Sequence, residues 1–214
     1  MKASLGRGRW MWPALLVSAL INPAGAAGLE GPQVFAIAPE GSHVVINVGK
    51  TGLLSFAGHT HEVIAPAVRG EVSFDPDEPA RSTVRVEFDA AALKVTGRGE
   101  PAEDVPEVQQ TMLSDRVLDV RRFPTILFQS RTVSLTGKTA DGLVLTIAGD
   151  LTLHGVTRPT TVVVRASLGQ DTITARGSFT IKQTDFGIEP VTAGLGLVRV
   201  KDALDVSFTL NVRR

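Results

Sequence analysis

The sequence predicts an all-β fold: an antiparallel eight-stranded β-barrel with one or two short helices. Three observations carry that expectation. From Gln33 onward, apolar and polar residues alternate with a period of two over most of the chain, the pattern of strands with one face on a core and the other in water. Gly, Pro and Asp cluster between these runs at the spacing of successive antiparallel strands. Several runs are also long. The one over 143–153 reaches roughly 35 Å at about 3.3 Å per residue, beyond the usual strand of about five or six residues. Closing such strands into a ring removes the edges that invite aggregation. Tilted by ~40°, they make a tall barrel, and eight of them leave space for one small ligand.

The amino terminus reads as a leader rather than as part of the fold. Lys2, Arg7 and Arg9 precede a short apolar run from Met11 to Ile21, Asn22-Pro23 breaks it, and Ala24-Gly25-Ala26 supplies a small-x-small cleavage site. The run is too short to span a bilayer comfortably. The expected division is therefore a signal peptide over 1–26 and one domain over 27–214. The mature protein would be periplasmic or secreted, with no stable membrane insertion after cleavage.

The expected strands follow in order. Short runs over 33–37 and 42–48 are separated by a turn at Pro39-Glu40-Gly41. Val68–Phe74 leads to a turn at Asp75-Pro76-Asp77. Val84, Val86 and Phe88 then oppose Arg85, Glu87 and Asp89. From Ala102 to Val120 the step lengthens to three and four residues through Val105, Val108, Met112, Leu113, Val117 and Leu118, which predicts one or two short helices ending before Phe123-Pro124. A strand over 125–135 meets a turn at Gly137-Lys138, and Asp141-Gly142 is a hairpin signal. In the 143–153 run Leu143, Leu145, Ile147, Leu151 and Leu153 share a face, with Gly149 in their register. Strands over 160–168 and Thr172–Lys182 follow, and Leu204, Val206, Phe208, Leu210 and Val212 mark the last.

Composition excludes several function classes. The chain has 22 basic and 22 acidic residues; losing the leader's three basic residues leaves a net charge of about −3, which offers no footprint for nucleic acid. There is no cysteine, so thiol catalysis, iron–sulfur clusters and disulfide staples are ruled out. A domain of about 188 residues can bury enough apolar surface without staples. No Gly-x-Ser-x-Gly elbow, Walker loop or paired carboxylates occur. The chain is expected not to be an enzyme and to need no cofactor.

His59-Thr60-His61 is the sharpest chemical feature. On an extended segment residues i and i+2 face the same way, so two imidazoles could share a metal, but a third ligand is needed and Glu62 points the other way. The competing reading is a polar corner near the barrel mouth. His154 should point outward beside Gly155 as a surface or turn-capping residue. Asp185 suits an Asx turn before Phe186-Gly187. Alternation alone leaves open whether inward side chains fill the barrel or line a cavity.

Five ordered segments resemble the YceI-like family: Phe35-Ala36-Ile37-Ala38-Pro39-Glu40-Gly41-Ser42-His43-Val44; Gly70-Glu71-Val72-Ser73-Phe74-Asp75; Leu118-Asp119-Val120-Arg121-Arg122-Phe123-Pro124-Thr125-Ile126-Leu127-Phe128; Gly149-Asp150-Leu151-Thr152-Leu153-His154-Gly155-Val156-Thr157-Arg158-Pro159; and Thr184-Asp185-Phe186-Gly187-Ile188. The resemblance implies an extended lipocalin-like barrel whose interior takes the tail of a polyisoprenoid, isoprenoid quinone or similar long-chain lipid, for transport or sequestration. It departs from the family pattern at His59-Thr60-His61, where many members place a single His.

With that likeness, Val86, Phe88, Phe128, Leu145, Ile147, Phe179, Ile181 and Phe208 are expected to line an apolar tunnel. His59 and His61 are expected at the ligand headgroup, with no resident metal. The alternatives are a metal-dependent enzyme or metal carrier using His59 and His61, and a filled barrel acting as an interaction protein. The sequence leaves the oligomeric state open, a homodimer included.

Overall fold

The computed structural model describes residues 31–51, 60–66, 68–193 and 198–214. Its strands are β1 (Gln33–Thr51), β2 (His61–Ala65), β3 (Val68–Phe74), β4 (Thr83–Asp89), β5 (Lys94–Val95), β6 (Thr125–Thr139), β7 (Gly142–Leu153), β8 (Val156–Leu168), β9 (Thr172–Lys182), β10 (Thr192–Ala193) and β11 (Val198–Arg213), with one α-helix, α1 (Val105–Leu113). Eight of them close a ring in the order β1-β3-β4-β6-β7-β8-β9-β11, and β11 returns to pair with β1. Every pairing is antiparallel. The expected barrel is the fold.

The short strands extend the wall. β2 and β3 are two parts of one antiparallel path along β1, β2 pairing with Val44–Val48 and β3 with Gln33–Ala36. β4 and β5 are likewise one path interrupted by a 3-10 turn at Ala90–Ala92, and β5 continues it against β2. Among the described residues no strand lies beside the outer edge of β5. Gln109 of α1 takes that place: its Oε1 accepts from Val95 N–H at 2.8 Å, and its Nε2 donates to Leu93 O at 2.9 Å. One side-chain amide thus supplies what a residue of a neighbouring strand would supply.

Three expected turns are corrected. Pro39-Glu40-Gly41 does not end a strand; it is a bulge inside the 19-residue β1. Between the pairs Ala38↔Asn211 and His43↔Thr209, five steps along β1 match two along β11. Phe35 and Ile37 are buried before the bulge and Val44 after it, so the bulge switches which parity faces inward. Gly41 has φ +75°, and a Cβ there would meet Asn211 Nδ2 at 2.5 Å. Ser42 fixes the bulge by donating to Ala38 O and accepting from Asn211 N–H at 2.9 Å.

Gly137-Lys138 is likewise strand, paired with Val144 and Leu143. The hairpin between β6 and β7 turns one residue earlier than expected, through Ala140-Asp141, with Gly142 already paired to Thr139. The strand expected over 160–168 begins at Val156, because the hairpin from β7 turns in two residues, His154 (φ +51°) and Gly155 (φ +71°). Two left-handed residues in succession match the twist of the flanking strands.

The helical expectation resolves into α1, followed by turns through Val120. Strand polarity sets the ends of the barrel. At one end lie α1, the close of β1, the start of β2, the hairpin at His154-Gly155 and the 3-10 turn Thr184–Phe186. At the other lie Gln33, the Asp75 corner and the hairpin at Ala140-Asp141.

Candidate functional site

Inward side chains enclose a cavity of about 540 Å³, inside the range of about 300–1,000 Å³ typical of small-molecule sites. The barrel is therefore hollow. All eight residues expected to line a tunnel border this cavity: Val86 and Phe88 on β4, Phe128 on β6, Leu145 and Ile147 on β7, Phe179 and Ile181 on β9, and Phe208 on β11. Period-two alternation is what places them there. On β7 it holds without interruption, Leu145, Ile147, Gly149, Leu151 and Leu153 being buried between less buried neighbours.

Two glycines explain how large Phe rings leave a lumen. A Cβ at Gly149 would lie 2.8 Å from Phe128 Cζ, and one at Gly177 would lie 2.7 Å from Phe208 Cζ. Each ring occupies the space a neighbouring strand's side chain would have filled. The rings line the wall in this way instead of crossing the cavity.

The α1 end is polar. Lys50, His61, Glu100, Asp104, Glu107 and Arg199 border the cavity there. Lys50 follows Val44, Ile46 and Val48 in the inward register of β1. His61 Nδ1 lies 2.9 Å from Glu100 Oε2; the imidazole is 21% exposed and the Glu100 side chain 0%. Among the described residues Glu100 Oε1 is buried without a hydrogen-bond partner. His59 lies outside the described residues, so of the two imidazoles expected at this end only His61 is placed. Among the described residues no group of three or more His, Asp or Glu could hold a metal ion.

Other expected polar residues serve the fold. His154 is not a free surface residue: its Nδ1 lies 3.2 Å from Phe186 O, and its ring packs edge-on against Phe123 at 4.7 Å. Asp185 does not make the expected side-chain cap. Its carbonyl accepts from Arg158 Nε at 2.8 Å, while Asp202 caps the turn, taking Thr184 N–H at 2.9 Å and the Thr184 hydroxyl at 2.8 Å. These bonds, the backbone one first, hold the Asp202 carboxyl below the ordinary carboxylate range. Glu62 points away from the cavity and pairs with Arg98 at 3.4 Å.

Sequence reasoning missed Glu100 and Lys50. Glu100 sits in the non-periodic stretch Gly97-Arg98-Gly99-Glu100-Pro101, where no pattern gives a side chain a direction. Lys50 was legible, two residues beyond Val48 in the same register. No helix among the described residues is long and apolar enough to cross a membrane.

Comparison with known proteins places this geometry. Residues 35–212 match the YceI-like domain. A UPF0312 protein of Pseudomonas savastanoi pv. phaseolicola is 35% identical over 148 residues, covering 65% of this chain and 67% of its own length. One from Pseudomonas fluorescens is 33% identical over 177 residues, covering 76% and 82%. Among solved structures, Burkholderia cenocepacia BcnA is similar with a TM-score of 0.62 at 20% identity, over 82% of this chain and 98% of that one. The Campylobacter jejuni YceI protein is similar with a TM-score of 0.52 at 15% identity, over 69% and 81%. At such identities the structural likeness speaks to the fold.

Proposed function

Because this chain belongs to the YceI-like family, we propose that it is an exported binding protein that holds the tail of a long-chain amphiphile in its tunnel. A polyisoprenoid, an isoprenoid quinone or a similar lipid is the cargo, carried or sequestered in the periplasm or outside the cell. The observation that carries this reading is the 540 Å³ cavity walled by aliphatic and Phe side chains. Such a wall offers a flexible tail about 0.8 kcal/mol per buried methylene, roughly a fourfold gain in affinity per carbon, less the cost of ordering the chain. The leader expected from the sequence over 1–26 supports export.

Native mass spectrometry of protein exported by its own leader tests the reading. The expected result is an added mass that passes into organic solvent. Replacing Phe128 or Phe179 by Asp should abolish its retention, since a tail in the tunnel would desolvate the new carboxylate. Apo protein that also refuses long-chain lipids in vitro would overturn the reading.

A further inference from the structure

Glu100 is at odds with its surroundings. Its side chain is wholly buried at the edge of an apolar cavity, one oxygen facing His61 Nδ1 and the other without a partner among the described residues. Among the described residues no lysine or arginine lies within ion-pair distance of it, although Lys50 and Arg199 border the same cavity. Buried polar atoms are nearly always hydrogen-bonded, and an exception inside a cavity calls for a partner that comes from outside the chain. A carboxylate offers only acceptors, so that partner must donate.

Resting on the proposed amphiphile-binding function, we propose that the tunnel selects its ligand by a hydrogen-bond-donor head, an alcohol-type O–H or a protonated amine, received by Glu100 Oε1. His61 acts as the positioning residue. Its Nδ1 occupies Oε2 and leaves Oε1 as the free acceptor. Asp104 and Glu107 border the same end, where with Glu100 they outnumber Lys50 and Arg199 by one, a balance that favours a donor or cationic head over a carboxylate or phosphate. The selectivity has the asymmetry of other sites built around one buried polar group: a ligand that cannot satisfy it leaves that group unpaired. Long-chain alcohols, quinols and amines fit; oxidised quinones and lipid phosphates fit less well.

The test is a chain-matched series, hexadecanol, hexadecylamine, palmitate and hexadecyl methyl ether, competing for the full-length mature protein with a neutral fluorescent polyene. Hexadecanol and hexadecylamine should each bind at least tenfold more tightly than the ether and palmitate. Their order tells a neutral from a cationic donor. Glu100→Leu should collapse the differences, so that hexadecanol, hexadecylamine and the ether bind with similar affinity, and retained binding of the ether reports an intact tunnel. Glu100→Gln, which keeps an acceptor but loses the charge, should weaken the amine more than the alcohol. Equal affinity across the series would overturn the donor rule and leave the amphiphile reading standing. Preferential binding of palmitate would overturn it in favour of Lys50 and Arg199. Failure of all four to bind would overturn both.

Discussion

Replacing Gln109 by Ala removes both halves of the clasp between α1 and the free edge of β5. Val95 N–H and Leu93 C=O each lose their partner, at residues only 9% and 7% exposed. A typical hydrogen bond contributes about 0.5–1.5 kcal/mol net, and stranding a buried group costs about 1–3 kcal/mol. Partial access of water to the opened edge argues for the lower part of the combined range, about 1–3 kcal/mol. Read as amide exchange, this is roughly a 5- to 150-fold loss of protection at Val95. Hydrogen exchange followed by NMR should show it there, while Val133, held in the β6–β7 pairing beyond the part of β6 that meets β4, keeps its protection. Gln109→Glu separates the two halves. Its carboxylate still accepts from Val95 N–H but sets an oxygen against Leu93 O, so Val95 should stay protected while overall stability falls. Unchanged exchange at Val95 in Gln109→Ala, or an equal loss at Val133, would refute the strand-mimic argument.

Further outcomes follow from other contacts. Gly177→Leu should drive the Phe208 ring into the lumen and lower affinity for a long-chain ligand at least tenfold, at an overpacking cost of about 1–3 kcal/mol; unaltered binding would show that the ring does not define the wall. Phe186, 2% exposed beneath the α1 end, should cost about 3–5 kcal/mol when cut to Ala, a fall in Tm of roughly 6–20 °C for a domain of this size. Asp75 accepts from Glu78 N–H at 2.9 Å, Asp77 N–H at 3.0 Å and Arg81 Nε at 2.8 Å. These partners, the Glu78 amide first and Arg81 next, hold its carboxyl below the ordinary 3.8. Its stabilisation is thus full above about pH 4 and lost as pH falls through the lowered value. The stability gap between wild type and Asp75→Asn in urea titrations should therefore be widest near neutrality and shrink toward pH 3; a constant gap would remove Asp75 from the acid response.

How much was legible depended on whether a residue's direction followed from its neighbours. β4, β7 and β9 alternate without interruption, so the pattern turned Phe88, Ile147 and Phe179 inward, and the family likeness made that interior a tunnel. Pattern fails where parity changes. The bulge at Pro39-Glu40-Gly41 carries Gly and Pro, the residues of a turn, and only the partner strand β11 decides that the chain runs straight on. The Gly137 region was misread for the same reason. Nothing local singles out Gln109, because its role depends on an edge left open by a different segment. Glu100 lies in a loop, where orientation is set by tertiary packing and by nothing local. His154 was placed correctly in its turn, but the Phe123 ring that covers it comes from another connection.

The seam between β1 and β11 bears on the order in which the barrel forms. Ala36 pairs with Arg213 across about 177 positions of chain, and β11 must enter between β1 and β9. Until it does, both neighbours expose open edges and the lumen lacks one wall. Pairing at such separation is slow, and the open sheet is the species most prone to join another copy. On the proposed function, the tail of an amphiphile is sheltered from water only once β11 completes the ring, so stable loading depends on that closure.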